Sequence, residues 1–155
     1  MVKLDQDFLQ AQKFFLKHFD SSCSNIVQEP ESKEYGACQF TIQNKKAAFR
    51  IAKITPTKVG QFVTFWKRSQ AGPIAPFDES DSIDLFIVSV RDGDKFGQFI
   101  FPKSVLIEHD IMSKNHIGGK RAIRVYPSWD KTDNKQAIRT QSWQLKYFYE
   151  ISNNS

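Results

Sequence analysis

The side chains able to do chemistry fall into blocks of like charge. From Tyr35 to Phe77 there is no Asp or Glu, while Lys45, Lys46, Arg50, Lys53, Lys58, Lys67 and Arg68 supply seven positive charges. From Asp78 to Asp94 the sign reverses, with six acids against Arg91 alone. Between Ile111 and Trp129 it turns basic again through Lys114, Lys120, Arg121 and Arg124. A net charge of +5 distributed in this way suits contact with a polyanion. The loop Thr55-Pro56-Thr57-Lys58-Val59-Gly60 adds hydroxyls, an ammonium and a flexible backbone, all able to hydrogen-bond phosphate oxygens. It lacks the spacing of a Walker loop, which argues against a nucleoside-triphosphate site. Phosphate contact is therefore assigned to Arg50, Lys53, Thr55, Thr57, Lys58, Lys67, Arg68, Lys120, Arg121 and Arg124.

Aromatic rings beside such cations can stack on unpaired bases. Trp66, Tyr126, Trp129 and Trp143 are the candidates, and Trp129, following a basic segment in Tyr126-Pro127-Ser128-Trp129-Asp130, is the one chosen. Carboxylates allow a second chemistry, the binding of a divalent metal that activates water. Asp84 opens an apolar strand whose expected partner carries Gln98, so the two could meet at one sheet end with Glu34. The plain alternative for Asp84 is a turn residue at a strand start. His18, His109 and His116 are too scattered for a zinc site. Cys23 and Cys38 show no ligand spacing and read as small buried hydrophobes in a reducing compartment.

These groups are positioned by elements legible from periodicity. Leu4 to Phe19 has helical spacing. Ala37–Gln43 and Ala47–Ile54 form a hairpin, and Gln61–Trp66 is a strand by propensity. Gly72 to Pro76 breaks regular structure. Ile83–Val90 and Phe96–Phe101 pair across Asp92-Gly93-Asp94, and Pro102 starts a helix over Lys103–Met112. Arg121–Tyr126 reads as an edge-proximal strand, and Asn134–Glu150 as a C-terminal helix. The expected class is α+β, a mixed sheet flanked by helices, in one domain over 1–155: an N-terminal helix and connection at 1–33, then a sheet core at 34–150. With 155 residues and 21 aromatics a sizeable core is within reach. No stretch approaches the ~20 apolar residues of a membrane span, nor the pattern of a signal peptide. A cytoplasmic location is expected.

The disposition of Asp84 and Gln98 resembles the PD-(D/E)XK nucleases, where an Asp begins the second core strand and an acid or Gln, one residue, then Lys lie on the third. Here Gln98-Phe99-Ile100 puts Ile where the catalytic Lys would stand, so Lys53 or Lys103 would have to supply the ammonium. The block Phe49-Arg50-Ile51-Ala52-Lys53-Ile54-Thr55-Pro56-Thr57-Lys58-Val59-Gly60-Gln61-Phe62-Val63, then Trp66-Lys67-Arg68, resembles the MepB family. Phe101-Pro102-Lys103 and Trp143-Gln144 to Phe148 fit as well. That resemblance, named for a multidrug-efflux operon, implies a restriction-endonuclease-like fold and nucleic-acid binding. The expectation is a non-catalytic protein that contacts DNA or RNA phosphates with little sequence specificity. The alternatives are a nuclease using Asp84, Gln98, Glu34 and a migrated Lys53 with Mg²⁺ or Mn²⁺, and a module that binds a small anion or a protein partner.

Overall fold

The computed structural model describes residues 5–69 and 72–151. Helix α1 (Gln6–Phe19) opens on Asp5, whose carboxylate accepts the Asp7 N–H at 2.8 Å, and closes on Asp20 in the left-handed region at φ 53°. The cap satisfies a donor that the first turn would otherwise leave orphaned. Leu4, where the sequence reading starts this helix, lies outside the described residues.

The strands are β1 (Ser24–Gln28), β2 (Cys38–Ile42), β3 (Lys45–Ile51), β4 (Lys53–Ile54), β5 (Gln61–Thr64), β6 (Trp66–Arg68), β7 (Ile74–Pro76), β8 (Leu85–Asp92), β9 (Lys95–Pro102), β10 (Ala122–Val125) and β11 (Phe148–Ile151). Helix α2 (Lys103–Glu108) follows β9, and α3 (Lys135–Gln144) follows β10. The main sheet runs β1-β2-β3-β8-β9-β11; β3 and β8 are parallel and every other pair is antiparallel. The chain is thus α+β, a mixed sheet flanked by helices.

Alternation sorts the faces. Cys38, Phe40 and Ile42 of β2, with Phe49 and Ile87, meet Phe8, Ala11 and Phe15 of α1. Phe86, Val88, Phe99 and Phe101 point the other way, toward Phe65, Leu106 and Val125. Because both faces are covered, β8 and β9 are buried almost throughout, which explains their near-continuous apolar runs. A smaller sheet, ordered β10-β5-β4, lies over this second face. Its register aligns Lys53, Phe62 and Arg124 in one cross-strand row, while Val63, Ile123 and Val125 point into the core.

Four expectations need correction. The run Asn134–Glu150 is not one helix: α3 stops at Gln144, and Phe148–Ile151 pairs with β9. Gly97 makes room for this, since a Cβ there would lie 2.5 Å from the Phe148 ring. Ile74–Pro76 forms a strand against β6 despite its proline, because an outer strand needs no N–H at that position. Helix α2 ends at Glu108 rather than Met112, where Asp110 turns the chain at φ 58°. The connection expected between the N-terminal helix and residue 34 contributes a strand, β1, before Pro30.

Candidate functional site

The Thr55 to Gly60 loop joins β4 to β5 and is fastened by one side chain of β10. Arg124 Nη1 donates to Thr55 Oγ1 at 3.0 Å and to the Val59 and Gly60 carbonyls at 3.2 Å each. Gly60 has φ +89°, and a Cβ there would stand 2.7 Å from the Tyr126 ring and 2.9 Å from the Val125 carbonyl oxygen. Only glycine accepts both the dihedral and the contact without strain.

On the other side, α3 is docked to β10 by amide side chains. Gln144, 1% exposed, accepts the Tyr126 N–H at 2.9 Å and donates to the Arg124 carbonyl at 3.0 Å, so it stands in for a neighbouring strand. Gln141 donates to the Pro127 and Asp130 carbonyls at 2.9 Å each and fixes the turn beyond. Loop, strand and helix enclose an open cleft of about 700 Å³. Lys58, Lys120 and Arg124 line it against a single carboxylate, Asp133, and Thr57, Tyr126 and Thr140 add hydroxyls. One wall carries His109 and Trp143, stacked with ring centroids 3.8 Å apart and planes within 6°. Burial pushes the Tyr126 phenol above its ordinary value, against the opposing pull of Arg124, so it stays a neutral donor at pH 7.

The residues singled out from sequence separate cleanly. Thr57, Lys58, Lys120 and Arg124 converge on the cleft, and Thr55 is tied to it through Arg124. Lys53 is exposed on the same sheet face as Arg124, its ammonium 4.7 Å above the Tyr35 ring. Arg121 is exposed beside Lys120 but does not line the cleft. Arg50 requires correction: it is wholly buried, donating to the Glu29 carboxylate and to the Phe49 carbonyl, and no phosphate reaches it. Lys67 pairs with Asp81 at 2.7 Å and Arg68 with Glu31 at 3.2 Å, beside a second cleft of about 640 Å³. Trp129 is also corrected. Its ring packs edge-on against Phe148 and its indole N–H is buried, so it belongs to the core rim.

The carboxylate constellation is not assembled. Asp84 Oδ2 accepts the Lys46 N–H at 2.9 Å, and its backbone bonds Lys46 and Lys103, the behaviour of a turn residue tying three strand ends. Leu85 faces Pro102 while Gln98 faces Ser89, four pairs further along, roughly 13 Å at strand rise. Gln98 is fully buried and donates to Ser89 Oγ at 2.9 Å. Glu34 sits exposed in a short turn, Lys33–Tyr35. These residues do not fit a Mg²⁺ or Mn²⁺ site, and among the described residues no group of three His, Cys, Asp or Glu is placed to hold a metal.

Sequence reasoning missed His109, Gln136 and Thr140 in the cleft wall. The signal was present for α3: Gln136, Thr140 and Trp143 recur at i, i+4 and i+7, one helix face. No such pattern marks His109, which is brought in by the turn after α2.

A family model described as MepB-like matches residues 29–150. A solved structure described as the crystal structure of MepB is 31% identical, has a TM-score of 0.82, and is matched over 98% of this chain and 99% of that chain. No curated protein matches. With four-fifths of its length inside that family model and a like-folded relative end to end, the chain belongs to the MepB-like family.

Proposed function

We propose that this protein binds nucleic acid through the cleft between the Thr55 to Gly60 loop, β10 and α3, without cleaving it. The observation that carries the reading is the convergence of Lys58, from the Thr55 to Gly60 loop, with Lys120 and Arg124, from β10 and the residues just before it, on one cleft with a single opposing carboxylate, Asp133. Cations so placed neutralise phosphates and release counterions, whereas scattered surface lysines do so only weakly. The restriction-endonuclease-like core is part of the same proposal. Its support is a mixed sheet with α1 on one face and a strand-opening Asp84, now employed in holding strand ends together. Asp84 and Gln98 lie too far apart to share a metal, which disfavours the nuclease alternative.

The test is anisotropy of a labelled oligonucleotide titrated across salt concentrations. Three phosphate contacts on a single strand predict log K falling with log salt at a slope of about −2. Absence of binding at low salt, with stabilisation by a small anion in a thermal-shift screen, would instead make the cleft a metabolite site.

A further inference from the structure

We infer that the ligand of this cleft is a single strand, with one unpaired base seated against the His109–Trp143 stack. The inference rests on the nucleic-acid reading above and adds the ligand's form. Three observations carry it. First, the stacked pair lines the cleft wall that the cations also line, so an aromatic face and phosphate-binding groups share one enclosure. Second, about 700 Å³ accommodates a nucleotide or two but no double helix, and inside a duplex each base face is already covered by its neighbours.

Third, the outer face of the small sheet continues the same alternation away from the cleft. Arg124 stands beside Phe62 and Phe62 beside Lys53, in register across β10, β5 and β4. The Tyr35 ring lies 6.3 Å from that of Phe62 and under the Lys53 ammonium. Cation, ring, cation, ring is the arrangement that tracks an unpaired strand, its phosphates on the cations and its bases on the rings. A duplex offers such a surface only its outer phosphates and would leave the rings unused.

The experiment compares three probes of equal strand length, about twelve nucleotides: a labelled oligothymidylate, the same backbone made abasic, and a duplex. The oligothymidylate is expected to bind about tenfold tighter than either of the others. His109→Ala is expected to remove most of that preference while leaving the salt slope unchanged, and His109→Phe to restore it, which excludes a folding defect. Equal affinity for the base-bearing and abasic strands, or tighter binding of the duplex, would overturn the single-strand inference and leave phosphate binding standing. Failure of all three probes to bind at low salt would overturn both.

Discussion

Individual side chains in this protein were bent to structural ends where their types suggested chemistry. Arg50 is the clearest case: its guanidinium is buried at 0% exposure with Glu29 as its one carboxylate partner. Removing one member of a buried pair leaves an uncompensated charge, which is far costlier than loss of a surface bridge. Glu29→Ala is therefore expected to cost about 3 kcal/mol in urea unfolding, with oligonucleotide affinity of the folded protein unchanged. Asp78 is a second case. Burial alone would push its carboxyl up, but Ser113, Ser80 and the His116 N–H donate to it and hold it below the ordinary carboxylate range. The folded value being the lower one, its stabilisation is present above the unfolded value near pH 4 and is lost as the pH falls through the folded value. Asp78→Asn should flatten the acid limb of a stability–pH curve; an unchanged limb would assign acid sensitivity elsewhere. Burial also pushes Cys23 and Cys38 up to about 12. Both thiols should resist Ellman's reagent at pH 8 in the native protein and react in denaturant.

At the scale of elements, the loop before β5 is held rather than free. Gly60→Ala would force a Cβ at φ +89° into the Tyr126 ring. The expected result is a loss of about 1–3 kcal/mol of stability together with weakened oligonucleotide binding, because Thr57 and Lys58 move with the loop. Wild-type binding in this variant would detach the loop from the site. The β8–β9 hairpin was legible because Asp92-Gly93-Asp94 separates two apolar runs, and α1 because its apolar residues recur at helical spacing. Strand β11 was not: Phe148 and Tyr149 are equally apolar on a helix, and only the open edge of β9, with Gly97 bare beneath the Phe148 ring, decides the matter. Strand β4 escaped for a related reason. The hairpin's second arm breaks at Ala52, whose N–H bonds Ser89, and Lys53 crosses to a different sheet.

Over the whole molecule, charge read along the chain and charge read in space disagree. The first basic block is acid-free in sequence, yet Lys67 meets Asp81, Arg68 meets Glu31, and Arg50 meets Glu29 from segments outside the block. A window on the sequence cannot see pairings that depend on where strands are laid. What survives is the smaller set that folding brings together from the loop, the approach to β10 and β10 itself: Lys58, Lys120 and Arg124. Part of the candidate site was thus legible as residue types; the α3 wall left its trace only in the helix face of Gln136, Thr140 and Trp143, which the charge pattern never mentions, and His109 left none. The most direct measurement compares salt slopes of oligonucleotide binding for wild type, Lys58→Ala/Lys120→Ala and Lys67→Ala/Arg68→Ala. The cleft pair should lower the slope by about 1.4 for a single strand, and the second pair, already engaged with acids, should leave it unchanged. Equal losses in both variants, or a loss only in the second, would contradict the assignment of binding to this cleft.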